Sequence, residues 1–429
     1  MKRKYYTFPI EDVDLFKLKL LNWTLKYNIV SFLDNHNYDS AYSTYECLAG
    51  VGTLQKFDAK GDFFSSLSSF VNKTDDWIFG HFNYDIKNHI EDLHSHNIDN
   101  IGFPDAFLFV PEILFIINKM ELTIGTTQPE AGSIFNEINQ QQIQEFDLFT
   151  VNIQPRISKE VYIENIKHLQ LHIVRGECYE INYCQEFYAE NTVISPIAVY
   201  HLLTKISPNP FCSFYKIDDK FLLCASPERY LKKEGENIIS QPIKGTARRG
   251  ENDEQDRQIK QNLLTGKKDR KENIIVVDLV RNDLSRICEE GAVHVEELCA
   301  VFTFPGVHQM ISTVKGKLQS DAGFGDIIKA TFPMGSMTGA PKKRVMQLAE
   351  VYEKSKRGIY SGTVGYITPN KDFDFNVVIR SIMYNETNKY VSYQVGGAIT
   401  FESDPESEYE ECLVKAAAIT QILSGKKAT

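Results

Sequence analysis

The chain has 429 residues, of which 42% are hydrophobic and 24% are charged, a balance that excludes disorder along its whole length. Its net charge of -10 argues against nucleic acid as the principal partner, because no broad cationic surface follows from it. No apolar run approaches the ~20 residues that a membrane-spanning helix needs, so no membrane partner is expected. The length predicts one large body or two closely packed lobes.

The N-terminus is basic at Met1–Lys4, but no continuous apolar segment follows it and acidic residues begin at Glu11. This pattern is not that of a secretory signal peptide, so the sequence predicts a cytoplasmic protein. The eight cysteines contain no Cys-x-x-Cys pair and mostly lie in apolar surroundings. We expect them to be reduced, buried thiols rather than disulfides or zinc ligands.

A polar segment at about 125–144 is rich in Gln, Glu, Thr and Asn, and this composition is typical of a linker. It divides the chain into an N-terminal region, 1–145, and a second domain, 155–425. Every cluster of chemically suggestive residues lies in the second domain. The N-terminal region, dense in aromatic residues, is expected to pack on that domain's core.

Strand-like patterns dominate two parts of the second domain. Residues 212–217 and 221–225 are apolar runs around a short polar turn, which predicts a hairpin. A second antiparallel series is predicted at 358–368, 373–384 and 390–401, with polar turns between the runs. Successive strands without intervening helices favour an α+β architecture over a doubly wound parallel sheet.

Two residues between these strand series are candidates for catalysis. Lys244 precedes Gly245, which would let a ligand approach the backbone, and it is placed at the end of a probable strand. A lysine is a nucleophile only when neutral, which requires desolvation or neighbouring cations; the alternative is a solvated surface lysine. Glu228 is a candidate general acid if burial raises its pKa, and otherwise a surface partner of Arg229.

Two helices matter most for the chemistry. One is predicted at about 269–287 and the other at 405–423, near the end of the chain. Ser403 or Asp404 is expected to cap the second helix, because Pro405 suits the first helical position.

Each of these helices carries two carboxylates three residues apart, and this spacing puts each pair on one helical face. The pairs are Asp269 with Glu272 and Glu408 with Glu411. Hard oxygen ligands of this kind suit Mg²⁺. The competing interpretation is that they are solvated acids, favoured near helix N-termini by the macrodipole.

Glycines gather towards the C-terminus, but no nucleotide-binding glycine string of either common type is present, so a dinucleotide or nucleoside-triphosphate site is disfavoured. Backbone N–H groups in glycine turns can still bind a carboxylate. Arg380 could complete such a site as a two-pronged clamp. The glycines concerned are Gly335, Gly339, Gly362, Gly365, Gly396 and Gly397.

Taken in order, these clusters resemble the chorismate-utilising enzymes, namely the first components of anthranilate synthase and aminodeoxychorismate synthase, with isochorismate and salicylate synthases as relatives. The resemblance is strong over 155–425 and weak over the N-terminal third. It implies the anthranilate-synthase-like α+β fold, with large antiparallel β-sheets packed as a sandwich and helices outside. The matching segments are 176–182, 226–229, 242–246, 272–284, 339–342, 362–366, 379–380, 396–398 and 408–416.

The resemblance also implies a set of site residues for chorismate. Glu272 and Glu411 match the glutamates that hold Mg²⁺ against the ring carboxylate of chorismate, with Asp269 and Glu408 as outer partners. The remaining matches are substrate-binding positions. They are Gly245, Thr246, Ser336, Tyr366, Arg380, Gly396, Gly397 and Lys415.

Lys244 separates the activities within the family. The string Pro242–Thr246 resembles that of aminodeoxychorismate synthases, whereas anthranilate synthases typically have alanine in place of the lysine. The resemblance implies that Lys244 attacks C2 of chorismate, that Glu228 protonates the departing C4 hydroxyl, and that ammonia enters at C4. Ammonia would come from a separate glutamine amidotransferase, and the product would lead to 4-aminobenzoate and folate.

Two alternatives remain open at this point. One is anthranilate synthase, and the other is a catalytically silent chorismate-binding scaffold. Gln309 stands where the family usually has histidine, with His308 one position early, and Glu180 stands where bacterial members commonly have glutamine and isochorismate synthases have lysine. Residues 32–35 only partly match the tryptophan-binding string of feedback-regulated relatives, which leaves tryptophan binding open.

Overall fold

The computed structural model describes residues 2–38, 41–128, 130–143, 150–304 and 306–425. The helices in these residues are α1 (Val13–Thr24), α2 (Phe63–Lys73), α3 (Lys87–Glu91), α4 (Ala131–Asn139), α5 (Lys159–Val174), α6 (Pro196–Ile206), α7 (Asp253–Thr265), α8 (Lys267–Ser285), α9 (Phe324–Thr331), α10 (Lys342–Tyr352) and α11 (Pro405–Leu423). None of these described helices combines the length and hydrophobicity that crossing a bilayer requires.

The strands often follow one another without a helix between them, as over 211–248. They are β1 (Lys4–Pro9), β2 (Ile29–Asp34), β3 (Cys47–Val51), β4 (Gln55–Lys56), β5 (Ile78–Phe82), β6 (Ala106–Val110), β7 (Ile113–Asn118), β8 (Glu121–Thr126), β9 (Gln154–Pro155), β10 (Glu180–Ala189), β11 (Phe211–Ile217), β12 (Lys220–Ser226), β13 (Arg229–Glu234), β14 (Asn237–Gln241), β15 (Ile243–Arg248), β16 (His294–Thr303), β17 (Val307–Lys317), β18 (Gly339–Ala340), β19 (Thr363–Ile367), β20 (Phe373–Asn376), β21 (Ser381–Asn385) and β22 (Tyr390–Ile399).

The strands form two large antiparallel sheets. The first is ordered β1-β8-β7-β3-β2-β11-β12-β21-β22-β10-β18, with β9 beside β10. The second is ordered β15-β17-β14-β13-β20-β19-β5-β6-β4, with β16 beside β17. Strands from 1–145 enter both sheets, since β2 pairs with β11 and β5 pairs with β19.

Two hydrophobic cores explain the layering. One core fills the space between the sheets, where Tyr215 and Leu222 of the first sheet meet Phe79 and Leu231 of the second. The other core covers the opposite face of the first sheet with helices, including α1, α5, α6 and α11. The apolar faces of both sheets are thereby buried, which is the requirement that selects layered architectures. The predicted α+β sandwich with outer helices is confirmed.

The predicted hairpin is confirmed as β11 and β12, which pair in register from Phe211↔Ser226 to Ile217↔Lys220. The expected single strand at 373–384 is wrong. The chain runs as β20 in the second sheet, crosses between the sheets, and continues as β21 in the first. Arg380 lies at this crossing with a left-handed φ of 50°, so the break carries a predicted site residue.

The predicted linker at 125–144 contains a helix, α4, and this prediction is therefore wrong over 131–139. The apolar residues of α4 recur at helical spacing, and Ala131, Ile134 and Ile138 are buried against the core. The polar composition of the exposed side obscured this short amphipathic pattern. Residues 144 and 145, at the predicted boundary, lie outside the described residues.

The two predicted helices are confirmed as α8 and α11. Asp404, rather than Ser403, caps α11, because its Oδ1 accepts a hydrogen bond from the Ser407 backbone N–H at 2.9 Å. This cap fixes the first turn of the helix that carries Glu408, Glu411 and Lys415. It satisfies one of the N–H groups that have no partner inside a helix.

Replacing Asp404 with alanine is expected to lower the free energy of unfolding by about 1 kcal/mol, because one N-terminal N–H loses its acceptor. Urea denaturation measures this change. Asp12→Ala provides a matched control, since Asp12 caps α1 through an equally exposed bond to Leu15 N at 3.0 Å. Both variants should lose similar stability, but only Asp404→Ala should weaken ligand binding; equal binding by both would contradict the role of the α11 cap.

Candidate active site

A cavity of about 700 Å³ opens where the two sheets meet α8 and α11. Strands β10 and β22 contribute one wall and β15 and β17 another. Almost all the predicted site residues line it, although they are spread over some 190 positions of sequence. They are Glu228, Lys244, Gly245, Thr246, Asp269, Glu272, Ser336, Arg380, Gly396, Glu408, Glu411 and Lys415.

Two of the predicted glycines lie close to side chains of the site, so a Cβ atom there would have little room. Gly245 has a φ of +91°, and a Cβ there would lie 3.0 Å from the Asp269 side chain, so this position favours glycine. Gly397 is not on the cavity wall itself, but a Cβ there would lie 3.1 Å from Glu408 Oε2 and 3.9 Å from Lys415 Nζ. Lys415 Nζ also donates a hydrogen bond to the Gly396 carbonyl at 3.1 Å.

Tyr366 is the exception among the predicted substrate-binding residues, because the structure does not bring it to this cavity. Its ring packs 5.7 Å from that of Tyr45 and 5.9 Å from that of Trp77, centroid to centroid, in an aromatic cluster elsewhere. Tyr366 belongs to strand β19, which leads away from the cavity. Tyr360, six positions earlier, lines the cavity instead. It lies just before the matched segment 362–366, and only this proximity could have signalled it.

Lys244 is the second residue of β15, not the end of a strand as predicted, and its side chain is only 11% exposed. Its Nζ lies 3.2 Å from Oε1 of Glu180, a buried residue at the start of β10. Burial disfavours the charged amine, but the carboxylates of Glu180 and Glu272 outweigh it, so the pKa of Lys244 is raised. The expectation of a neutral amine is therefore not met in this state, because the neighbours are anions rather than cations.

Glu228 is 4% exposed and turns into the cavity. Arg229 does not pair with it but with Asp374, at 2.9 Å, so the simple surface pair is excluded. Burial raises the pKa of Glu228 to about 7, against partial opposition from the nearby Ser336, Lys244 and Arg380. A carboxyl group with this pKa can donate a proton near neutral pH.

Three of the four predicted metal-binding carboxylates surround one lysine. Lys268 Nζ lies 3.2 Å from Glu408 Oε1, 3.9 Å from Glu411 Oε2 and 4.0 Å from Glu272 Oε1. Burial raises the pKa of Glu272 to about 7, and its Oε1 has no hydrogen-bond partner among the described residues. No group of three such ligands within the described residues is already arranged around a metal position.

These carboxylates nevertheless fit a divalent cation in their chemistry. They are hard oxygen donors from two facing helices, and together they already surround one positive charge. The buried Glu272 Oε1, which has no hydrogen-bond partner among the described residues, is the kind of atom that a bound cation would satisfy. Asp269 lies alongside, and burial raises its pKa as well.

Several buried polar atoms at or beside the cavity have no hydrogen-bond partner within the described ranges. In the described part of the chain, Glu180 Oε2, Ser336 Oγ and both amide atoms of Gln309 make no hydrogen bond of good geometry. Gln309 is fully buried and lines the cavity. His308 instead lies within 3.0 Å of Asp256 through Nε2, so it is Gln309 that faces the cavity. Because unpaired buried groups are costly, these atoms indicate a polar ligand.

The model of the family described as "chorismate binding enzyme" matches residues 34–421. The chain belongs to the chorismate-binding enzyme family. Among its relatives are the probable chloroplastic aminodeoxychorismate synthase of Oryza sativa, 40% identical over 269 residues (62% of this chain, 30% of the relative), and the aminodeoxychorismate synthase of Streptomyces pristinaespiralis, 38% identical over 312 residues (72% and 42%). The chain thus spans less than half the length of these two family members.

A solved structure shares the fold over nearly the whole chain. Anthranilate synthase component I from Streptococcus pneumoniae TIGR4 is 25% identical, with a TM-score of 0.79, and the match covers 89% of this chain and 93% of that one. The fold of that protein is therefore shared over 89% of this chain.

Replacing Gln309 with leucine is expected to raise the free energy of unfolding by about 1–2 kcal/mol, because two unpaired buried polar atoms are removed at similar volume. It should also weaken chorismate binding, since those atoms face the cavity. Urea denaturation and calorimetric titration with chorismate measure the two effects.

Gln185→Leu is the matched control for this substitution, because Gln185 is also buried with both amide atoms unpaired among the described residues but does not line the cavity. It should gain stability and bind chorismate normally. Unchanged chorismate binding by Gln309→Leu would remove Gln309 from the ligand site.

Proposed function

We propose that this chain is an aminodeoxychorismate synthase component I, which converts chorismate and ammonia to 4-amino-4-deoxychorismate on the route to 4-aminobenzoate and folate. The observation that carries the proposal is Lys244. Its nearly buried amine lies in the same cavity as the buried acid Glu228. Several relatives bear this activity in their names, including component 1 of Bacillus subtilis, 29% identical over 80% of this chain and 76% of its own.

Substrate binding requires positive groups, because chorismate is a dianion and the protein is acidic. Arg380 and Lys415 line the cavity and would pair with the enolpyruvyl carboxylate. Ser336 and Gly396 also line the cavity, and we propose the Ser336 hydroxyl and the backbone N–H groups of Gly396 and the adjacent Gly397 as further donors. These positions support a carboxylate pocket beside α11.

Mg²⁺ is the proposed cofactor, held by Glu272 and Glu411 with Asp269 and Glu408 around them. Bound there, Mg²⁺ would neutralise the ring carboxylate of chorismate. The support is the convergence of these carboxylates on one cationic position. The two carboxylates of the substrate would then be neutralised by different parts of one cavity.

The first chemical step needs Lys244 as a free amine, so its proton has to leave. Glu180 Oε1, 3.2 Å away, is the base that its hydrogen bond already presents. The neutral amine then adds to C2 of the ring while the double bonds shift and the C4–oxygen bond breaks. Glu228 gives its proton to that oxygen, so that it departs as water.

The second step returns the ring to its original unsaturation. Ammonia adds at C4, the double bonds shift back, and the Lys244 nitrogen leaves C2 as an amine. Lys244 blocks C2 meanwhile, so ammonia is directed to C4. A separate glutamine amidotransferase is the proposed source of ammonia, and the cytoplasm is the proposed location, supported by eight buried cysteines that are free thiols.

One assay tests the proposed function. The full-length protein is incubated with chorismate, MgCl2 and an ammonium salt, and the products are analysed by mass and fluorescence. An aminated, non-fluorescent chorismate that yields 4-aminobenzoate when a lyase is added supports the proposal. Fluorescent anthranilate would identify an anthranilate synthase, and a protein that binds chorismate without turnover would be a scaffold; either result rejects it.

Replacing Lys244 with alanine should abolish 4-amino-4-deoxychorismate and shift residual turnover towards anthranilate, because C2 becomes open to ammonia. Lys244→Arg is the control, since it keeps the positive charge opposite Glu180 and loses the nucleophile. Chromatographic product ratios measure the shift. If both variants still make the 4-amino product at the original rate, the lysine has no covalent part in the reaction.

The raised pKa of Glu228 predicts a pH dependence of activity. Above about pH 7 the group loses the proton that the C4 hydroxyl needs, so kcat should fall. Glu228→Gln should lower kcat by about 10²- to 10⁴-fold and remove this alkaline decline. Steady-state rates across pH test it, and a decline that persists unchanged in the variant would assign it to another group.

Glu228 should also make the folded protein less stable as the pH rises, whereas a carboxylate with a lowered pKa has the opposite effect. In the folded protein it keeps its proton up to about pH 7, whereas an unfolded glutamate releases it near 4.5. Its stabilising contribution is therefore complete below pH 4.5 and is lost as the pH rises through 7. Urea denaturation across this range should show a shallower loss of stability for Glu228→Gln than for the original protein.

A further inference from the structure

Lys268 occupies an unusual position among the cavity residues. It is the second residue of α8 and directly precedes Asp269. Its ammonium group lies within 4.0 Å of carboxylates from three residues on two helices, namely Glu272, Glu408 and Glu411. These are the groups that would hold the metal. Yet the Lys268 side chain is 57% exposed, so it reaches the carboxylates from solvent.

We propose that Lys268 is a tethered counter-ion that neutralises these carboxylates in the metal-free protein and has to withdraw when a divalent cation binds. The lysine thus competes with the metal for one place between α8 and α11. This inference rests on the divalent cation of the proposed function.

Electrostatics explains why the two cations exclude each other. Three carboxylates close together repel one another, and a single ammonium among them relieves this repulsion. A divalent cation in the same place does so more strongly and repels an ammonium group that occupies the same position among the carboxylates. The Lys268 ammonium group therefore swings out towards solvent when the metal binds, while its backbone stays in α8.

The surroundings of Lys268 make its withdrawal easy. Among the described residues its one hydrogen bond is to Glu408 Oε1 at 3.2 Å, and its contacts with Glu272 and Glu411 are longer. A half-exposed lysine is readily hydrated and gains rotamer freedom when released. Glu411 retains a partner after the exchange, because Lys415 lies 2.8 Å from it. The metal therefore displaces one weakly held charge.

The test is the affinity of the metal-free, full-length protein for MgCl2, measured by isothermal titration calorimetry without chorismate. Lys268→Met removes the competing charge and should bind Mg²⁺ about five- to tenfold more tightly, as expected from the loss of three partly exposed ion pairs. Lys268→Arg keeps the charge and should show no gain.

Lys271→Met is the matched control for the general effect of removing one positive charge. Lys271 is on the same helix and is 58% exposed, but it pairs with Glu402 rather than with the metal-site carboxylates. Its affinity for Mg²⁺ should stay close to that of the original protein. A gain in Lys271→Met equal to that in Lys268→Met would overturn the proposal, since the effect would then be net charge.

A second readout follows the stability of the site. Without Mg²⁺, Lys268→Met should melt at a lower temperature than Lys271→Met, because the carboxylates lose their counter-ion. Adding Mg²⁺ should raise the melting temperature of Lys268→Met again. Equal or weaker Mg²⁺ binding by Lys268→Met would overturn the proposal and make the lysine a positioning group. The proposed function is tested separately, by the product assay on the original protein. If that protein is active but the Lys268 variants bind Mg²⁺ with unchanged affinity, only the proposed role of Lys268 is rejected.

Discussion

The ion pair between Lys244 and Glu180 joins the two sheets at the wall of the cavity that Lys244 lines. Glu180 belongs to the first sheet and Lys244 to the second, and both are almost removed from water. A buried carboxylate is costly without a partner, so this pair fixes the position of the Lys244 amine and favours its charged form. In the proposed mechanism the same contact presents the base that would release the nucleophile. The position of Lys244 and its proposed reactivity therefore both involve Glu180.

The other charged residues of the cavity form two groups. Carboxylates gather between α8 and α11, where they surround Lys268, while Arg380 and the buried acid Glu228 lie where the chain crosses between the sheets. A ligand with two carboxylates needs a positive group for each of them, and here a metal would neutralise one and fixed cations the other. This arrangement would allow a protein with a net charge of -10 to bind the anion proposed as its substrate.

The features predicted correctly from the sequence are those that depend on residues close together in the chain. The hairpin of β11 and β12 and the cap of α11 followed from turn residues and helix-start residues, which act over a few positions. The break between β20 and β21 could not be predicted, because it depends on two sheets meeting. Nor could the polar composition around α4 disclose its buried side.

Most of the predicted site residues line one cavity, although not every residue does. Tyr366 was predicted and Tyr360 was not, because one-dimensional matching does not say which residue of a strand or turn faces a cavity. The ionisation of Lys244 was missed for a related reason, since its pKa depends on Glu180 and Glu272, distant in sequence. Lys268 was not singled out because two of the three carboxylates around it, those of Glu408 and Glu411, belong to another helix.

Mass spectrometry of the protein quenched during reaction with chorismate, with ammonia left out, examines the covalent role of Lys244 most directly. The peptide that contains Lys244 should carry the mass of chorismate less one water, and the same peptide from Lys244→Arg should be unmodified. An unmodified Lys244 peptide in a preparation that forms the 4-amino product once ammonia is added would contradict the lysine mechanism.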